Sequence, residues 1–556
     1  MRETHRSYWN WDLAIAALIT VSTLLSLFRL GYAYAPVSSW QSEKTGEEII
    51  LDLGEELVIS GLSWYVGNCA EQKFEVYVGK GEGNDSITWT WISDLDATWV
   101  WQWENHPLNG SGRFIKLVTA AQRSEINELL VKDAGGNPVL PVNASDYPAL
   151  FDENFMYSGY GSFQSGTVFD ETVFARTAYE YLHGLVSYED THPPLGKLLI
   201  SAGIACFGMN PFGWRISGVV AGTLLLVVLW LFGKRLIKDS WVLTGVVALL
   251  ALDFLRFGES RLGQVDSFLV LFMTAMYYFM YCYCEEAQKG QRGWRFLAGS
   301  GVCFGLAVSC KWSGFYGGAG LAVIWLILLI HRFRTGEIHW TDVGKICGVS
   351  AVFFVVFPAV IYLLSYIPYV PVDTSQGFFE KVIENQVNIW RFHSNVTSEH
   401  AMASRWYEWP LMLKPMELYS ATYPDNHREM VTLMGNPGLW WPGATVLFIS
   451  LYELTERIDG KRIFLMVGYA ASLLPWIFIS RCTFLYHYYP SVPFMALLIG
   501  VWVQGHGQKG RKFIVGCVIV SGILLVIFYP ILSGIKIDQE YARCLEWLPG
   551  WNFTGK

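Results

Sequence analysis

Long apolar runs alternate along the chain with polar loops of very unequal length. Runs able to cross about 30 Å of hydrocarbon as helices lie roughly at 12–31, 213–233, 240–256, 266–284, 297–311, 315–331, 345–366, 437–454, 462–479, 485–503 and 512–533, which predicts about eleven crossings. The first run lacks a clear small-residue cleavage site, Ala33 and Ala35 being the nearest approach to one, and reads as a retained helix. Leu198 to Gly208 reads as a further amphipathic helix lying along the membrane interface.

From about 36 to 140 the pattern switches to period two, as in E-I-I-L-D-L-G, K-F-E-V-Y-V-G and G-R-F-I-K-L-V-T, bounded by glycine and polar turns. These strands predict a small β-sandwich whose order resembles discoidin-like or galactose-binding-like jelly rolls, modules that often bind glycans. Trp89, Trp91, Trp99, Trp101 and Trp103 either stack on a sugar or alternate between the two faces of strands. The predicted fold is thus a polytopic α-helical membrane protein with an inserted jelly-roll-like β-sandwich. Its segments are 1–35 with the first span, the β-sandwich at 36–150, a loop with interfacial helices at 151–212, spans at 213–366, a loop at 367–436, spans at 437–533 and a tail at 534–556.

Composition agrees with residence in lipid: 52% of the 556 residues are hydrophobic and 16% charged. The net charge of −8 hides a sorting by segment and identifies no nucleic-acid partner. Basic residues follow alternate spans, at Lys234, Arg235 and Lys238, at Lys289, Arg292 and Arg295, at Arg332 and Arg334, at Arg457, Lys461 and Arg462, and at Lys509, Arg511 and Lys512. All fall on the side of Arg2 and Arg6, which predicts a cytoplasmic N-terminus. The segments 32–212 and 367–436, and the tail, are then exoplasmic. The ten cysteines are scattered without a C-x-x-C pair, fitting neither a zinc site nor a disulfide framework.

Candidate chemistry gathers in the loops assigned to the outside. Asp170 and Glu171 begin a predicted helix and, pointing about 100° apart, should have different tasks. In H-P-P-L-G-K, Lys197 occupies a helix's first turn, where a cation is disfavoured unless an anion docks there; the other reading is a lysine reaching the headgroups. Arg215, Arg261, Lys311 and Arg481 also lie at predicted outer ends of spans, and together suggest an outward anion site. Asp266 follows Arg261, and His487 follows Arg481. In the late loop His393 and His400 could share a helical face, but no third ligand at close spacing argues for a metal, and none is predicted. Its tryptophans read as membrane-belt residues.

Taken together, F-D-E at 169–171, T-H-P-P-L-G-K at 191–197, N-P-F-G-W-R-I at 210–216, S-R-L-G-Q-V-D at 260–266, K-W-S-G at 311–314, W-Y-E-W-P-L, G-N-P-G-L-W-W and F-L-Y-H-Y-Y-P resemble the protein O-mannosyltransferase family. The resemblance covers nearly all of the chain outside 36–150. It implies a membrane glycosyltransferase of GT-C fold that transfers mannose from a polyprenyl-phosphate-mannose donor to serine or threonine hydroxyls of exported proteins. It further implies Asp170 as catalytic base, Glu171 as an acceptor-placing group and Arg215 as a donor-phosphate ligand. Lys197, Arg261, Lys311, Arg481 and His487 join the expected phosphate site, and His192, Asp266, Gln386, His393 and Trp409 the expected sugar or acceptor pocket. No cofactor is chemically required where cations neutralise the phosphate. The late loop is too short for the MIR domain of eukaryotic members, so the chain resembles a bacterial-type member in the cytoplasmic membrane. The β-sandwich leaves room for a cell-surface glycan as acceptor or ligand. A transporter of lipid-linked sugars, which would need polar residues at mid-membrane, and a glycan-binding receptor are the competing readings.

Overall fold

The computed structural model describes residues 2–68, 73–81, 87–97, 99–121, 124–157, 159, 161–397 and 400–555; of residues 2–10 it describes the backbone alone, so the side chains of Arg2 and Arg6 lie outside it. The chain divides into two units. One comprises Met1–Leu30, Glu180–Ala202 and Arg215–Lys556, the other Gly31–Tyr179 and Gly203–Trp214.

The first unit is helical. Among its described residues, Pro211–Leu236, Asp266–Gln288, Gly314–Arg334, Trp340–Ser365, Gly460–Phe478 and Gly507–Ser533 are the six helices long and apolar enough to cross a membrane. The pair Ser240–Ala251 and Phe254–Ser260, bent by 56°, makes a seventh if counted as one span. The other predicted runs fall on Trp11–Leu27, Trp294–Cys310, Pro437–Glu456 and Val492–Gly505. Length explains part of the gap from eleven: Trp294–Cys310 ends at Lys311, and the run near 485 begins as a 3-10 turn containing Pro490 before Val492–Gly505 starts.

The 56° bend has a polar cause. The Asp253 carboxylate caps the second helix by accepting from the Arg256 amide at 3.1 Å, and also accepts from the Trp440 indole at 2.8 Å and the Asn436 amide at 3.1 Å. Small residues allow close packing elsewhere: a Cβ at Gly301 would lie 2.1 Å from the Phe353 carbonyl oxygen. A π-turn at Val352–Val356 precedes Pro358, easing the ring's clash with the preceding turn. A three-stranded sheet, with His427–Leu433 between Met416–Thr422 and Ile537–Asp538, ties the late loop to the C-terminal segment.

The second unit is built on a six-stranded antiparallel sheet in the order Thr88–Asp96, Lys73–Lys80, Gln102–Thr119, Glu48–Val66, Glu128–Asp133, Pro138–Val139. A two-stranded pair, Trp40–Gln41 with Glu125–Ile126, stands apart from it. The two long central strands stay paired through register breaks between Asp52 and Leu57 and between Ile59 and Gly61. Such bulges bend a strand without cutting it, so the six strands other than that pair join into one large sheet. Trp101 and Trp103 are buried, whereas Trp91 and Trp99 are 54% and 46% exposed. Trp89 is half-buried, so of the five tryptophans read either as sugar-stacking or as alternating between strand faces, Trp91 and Trp99 are the exposed ones.

Candidate functional site

A buried carboxylate organises the T-H-P-P loop. Glu189 is ion-paired with Lys197, whose Nζ also donates to the carbonyls of Glu189 at 2.9 Å and His192 at 3.0 Å. The same carboxylate accepts from the Thr191 amide at 2.8 Å and lies 3.0 Å from His192 Nδ1. Burial pushes Glu189 up, but Lys197 and His192 outweigh it and hold its carboxyl well below the usual carboxylate range. Burial likewise keeps His192 below the ordinary histidine value against the pull of Glu189. The anion expected beside Lys197 is therefore present, and it is the chain's own Glu189.

The helix Phe378–Asn395 docks on this loop. Asn385 Nδ2 donates to the Asp190 carbonyl at 2.7 Å, Asn388 Nδ2 to the Asp190 carboxylate at 3.3 Å, and His393 Nε2 lies 3.0 Å from the Thr191 carbonyl. Behind it runs a chain of hydroxyls and amides: Trp312 Nε1 to Tyr362 OH, Tyr362 OH to Gln386 Oε1, Gln386 Nε2 to Tyr366 OH, and Tyr366 OH to Asn385 Oδ1, all within 3.1 Å. Gln386 thus belongs to a supporting network. Burial, with His192 and Arg481 nearby, lowers His393 to about 4, so it is a neutral imidazole at neutral pH.

Between these elements lies a cavity of about 570 Å³, lined among others by His192, His393, Lys311, Trp476 and Arg481. Lys311 Nζ donates to both Asp266 oxygens at 3.0 Å and stands over the Tyr486 ring. Among the described residues no carboxylate pairs with Arg481, whose nearest bond is to the Cys482 carbonyl at 3.4 Å. Asp266 and His487 line a much smaller adjoining pocket. His487 packs on Trp476 with ring centroids 4.0 Å apart and stacks toward buried Trp409, whose indole donates to Ser404 Oγ at 3.0 Å. The cavity's walls hold two cations, two imidazoles, and no carboxylate among the lining residues. Such a space suits a phosphate attached to a polar group.

The remaining predicted cations sit in the frame. Arg215 and Arg261 are buried, Arg215 donating to the Leu30 carbonyl at 2.9 Å and Arg261 to those of Phe28 and Arg29 at 3.2 and 2.7 Å. They hold carbonyls at and just beyond the end of the helix Arg2–Leu27. The acidic pair lies at the start of the helix Glu171–His183. Glu171 is buried, and its Oε2 accepts from the Val168 amide at 3.0 Å. Phe169 between them has φ of 49°, a left-handed conformation costing a non-glycine residue about 1 kcal/mol or more. Glu171 thereby fastens the strained turn in which Asp170 lies. Glu189, Asn385, Asn388 and Tyr366 were not singled out by the sequence; the visible signal was an acid three residues ahead of His192 and eight ahead of Lys197.

Two family models match the chain: "Dolichyl-phosphate-mannose-protein mannosyltransferase" over residues 205–370, and "C-terminal four TMM region of protein-O-mannosyltransferase" over 378–551. The chain is 29% identical over 460 residues to a polyprenol-phosphate-mannose–protein mannosyltransferase of Mycolicibacterium smegmatis, covering 69% of this chain and 87% of the relative. A protein of the same name from Mycobacterium tuberculosis is 26% identical over 458 residues, covering 69% and 86%. The fold is similar to a protein O-mannosyltransferase complex of Saccharomyces cerevisiae bound to its sugar donor, with a TM-score of 0.62 at 15% identity over 70% of this chain and 89% of that one.

Proposed function

Because the chain belongs to the protein O-mannosyltransferase family, we propose that it transfers mannose from a polyprenyl-phosphate-mannose donor to serine or threonine hydroxyls of exported proteins, with inversion at C1. The observation that carries this reading is the cavity in which Lys311 and Arg481 stand beside two imidazoles without a lining carboxylate. We assign the donor phosphate to these two cations and leave Lys197, Arg215, Arg261 and His487 in the walls. As the bond from C1 to oxygen breaks, the phosphate gathers negative charge. Preorganised cations then stabilise the transition state more than the ground state. His192 and His393 offer hydrogen bonds to sugar hydroxyls, and Asp266 keeps Lys311 in place. Asp170, by its Phe-Asp-Glu context, is assigned the acceptor proton, which a positioned carboxylate removes as C1 is attacked from the face opposite the phosphate.

The proposed setting is the cytoplasmic membrane, with about eleven crossings, the N-terminus inside and the loops at 32–212 and 367–436 outside. The lipid tail of the donor then remains in the bilayer while its head reaches the site. The β unit we propose as a jelly-roll-like module at that outer face, with Trp91 and Trp99 as its sugar-facing aromatics.

The test uses the purified full chain in nanodiscs with radiolabelled polyprenyl-phosphate mannose and a Ser/Thr-rich peptide. Label transferred to the peptide, and lost in Asp170→Asn, supports the whole reading. Label that appears only on cell-envelope glycan keeps the donor chemistry and overturns the protein acceptor. No transfer to either leaves a lipid-linked sugar transporter as the better account.

A further inference from the structure

The β unit contains a group of carboxylates that the transfer reaction does not use. One carboxylate oxygen each from Glu128, Asp152 and Glu153 lies within 4.8 Å of the other two. Glu128 comes from the strand Glu128–Asp133, directly opposite Tyr65 on the neighbouring strand, whereas Asp152 and Glu153 come from the loop after the last strand. The strand therefore supplies one acid and the loop the other two. Glu128 is 0% exposed. Its Oε2 accepts from the Glu153 amide at 3.1 Å, but its Oε1 is buried without any hydrogen-bond donor. Among the described residues no lysine, arginine or histidine pairs with any of the three acids.

The surroundings constrain the group without neutralising it. Glu153 Oε2 accepts from the Val37 and Ser38 amides at 2.7 and 3.2 Å and from Ser38 Oγ at 3.0 Å. Ser38 Oγ also reaches both Asp152 oxygens, at 2.9 and 3.0 Å. Val37 and Ser38 thus fix Asp152 and Glu153 side by side, and the Glu153 amide holds Glu128. Three acids thus meet where one buried Glu128 oxygen has no hydrogen-bond donor, an arrangement that a bound cation would satisfy.

We propose that Glu128, Asp152 and Glu153, with Ser38 alongside, form a binding site for a hard divalent cation, calcium by preference, inside the β unit. Calcium sits about 2.4 Å from its oxygens, so ligands around one ion lie up to about 5 Å apart, and it tolerates irregular sets completed by water. Magnesium demands a tighter octahedron and releases water reluctantly. The donor set is all oxygen, which disfavours zinc and copper. Bound there, the ion would join the loop after the last strand to the sheet. This cation is separate from the transfer chemistry, which the proposed function assigns to other residues.

The experiment is calorimetric titration of calcium chloride into the chelator-stripped full chain in neutral-lipid nanodiscs at pH 7. The expected result is one saturable site per chain with a Kd of about 0.1–1 mM, the range of extracellular oxygen-ligand modules. Magnesium should bind at least about tenfold more weakly. Asp152→Asn, at an exposed position where folding is not at risk, should weaken calcium at least about tenfold, and Glu128→Gln should abolish it. Absence of saturation by about 5 mM calcium would overturn the proposal. So would undiminished binding in Asp152→Asn, which would put the ion elsewhere on the chain.

Discussion

Replacing Lys311 with methionine should cost more than the loss of one cation, because its ammonium already neutralises Asp266. Both Asp266 oxygens are 3.0 Å from Nζ, and the two side chains are only 11% and 5% exposed. For a donor phosphate about 4 Å from Nζ, the attraction at an effective dielectric of about 20 is about 4 kcal/mol, roughly halved by the paired carboxylate. Losing it lowers kcat/KM by about 2 kcal/mol, or ~30-fold. The bared carboxylate, about 7 Å from the same phosphate, repels it by roughly 2 kcal/mol, a further ~30-fold. Lys311→Met should therefore retain about one part in a thousand of kcat/KM, and the stranded charge should destabilise the fold by about 3–5 kcal/mol. Adding Asp266→Asn removes the repulsion and should return about 30-fold of the activity and most of the stability. The assay is transfer of radiolabelled mannose to peptide across a range of donor concentrations, with thermal unfolding of the same preparations. A double variant no better than Lys311→Met in either measurement would refute the reasoning, since the loss would then owe nothing to Asp266.

Arg481→Ala leaves no carboxylate bare and should lower kcat/KM by only ~10–100-fold; a loss as deep as that of Lys311→Met would argue against the difference drawn between the two cations. Glu189→Gln strands Lys197 in the interior and should destabilise the chain by about 3–5 kcal/mol, seen as a lower thermal midpoint; an unshifted midpoint would show that the ion pair is not what holds the T-H-P-P loop. His393 is lowered from 6.5 to about 4, so its neutral form is favoured by folding. Its contribution to stability is complete above pH 6.5 and is lost as pH falls towards 4. His393→Gln should accordingly flatten part of the fall in thermal midpoint over that window, and an unchanged slope would remove His393 as its source. Asp170→Asn should reduce turnover by about 10²–10⁴-fold without altering the thermal midpoint, and near-normal turnover would exclude Asp170 as base.

Much of the helical frame was legible because hydropathy is a local property: each apolar run coincides with a helix. The count of crossings was less so, since a run's length does not reveal that the regular helix begins only after Pro490 or ends at Lys311. The site was legible as a set of suspects but not as a set of pairs. Lys197 attracted attention because a cation in a helix's first turn calls for an anion, and that physics holds. The anion that answers it is Glu189, which in sequence reads as one more solvated acid in a loop. Lys311 and Asp266 were both named, yet 45 residues separate them and no periodicity links the two. Glu128 was hidden for a similar reason: it is one position in a strand, and its partners Asp152 and Glu153 belong to a loop that only the folded sheet brings near.

The pairings also decide what the cavity can do by itself. Glu189 is taken up by Lys197, Asp266 by Lys311, and Asp190 donates nothing to the cavity because Asn388 and Asn385 hold it against the neighbouring helix. What remains along the walls is positive charge and imidazole. A histidine lowered to about 4 has little driving force to take a proton from an alcohol. This arrangement retains an anion and stabilises its growing charge, but is poorly equipped to activate an acceptor. Donor binding and proton removal should then be separable by mutation. Asp170→Asn should still bind polyprenyl phosphate with wild-type affinity while failing to transfer mannose, whereas Lys311→Met should fail already at binding. If Asp170→Asn loses polyprenyl-phosphate affinity as well, the two tasks share residues and the division of labour argued from the cavity walls does not stand.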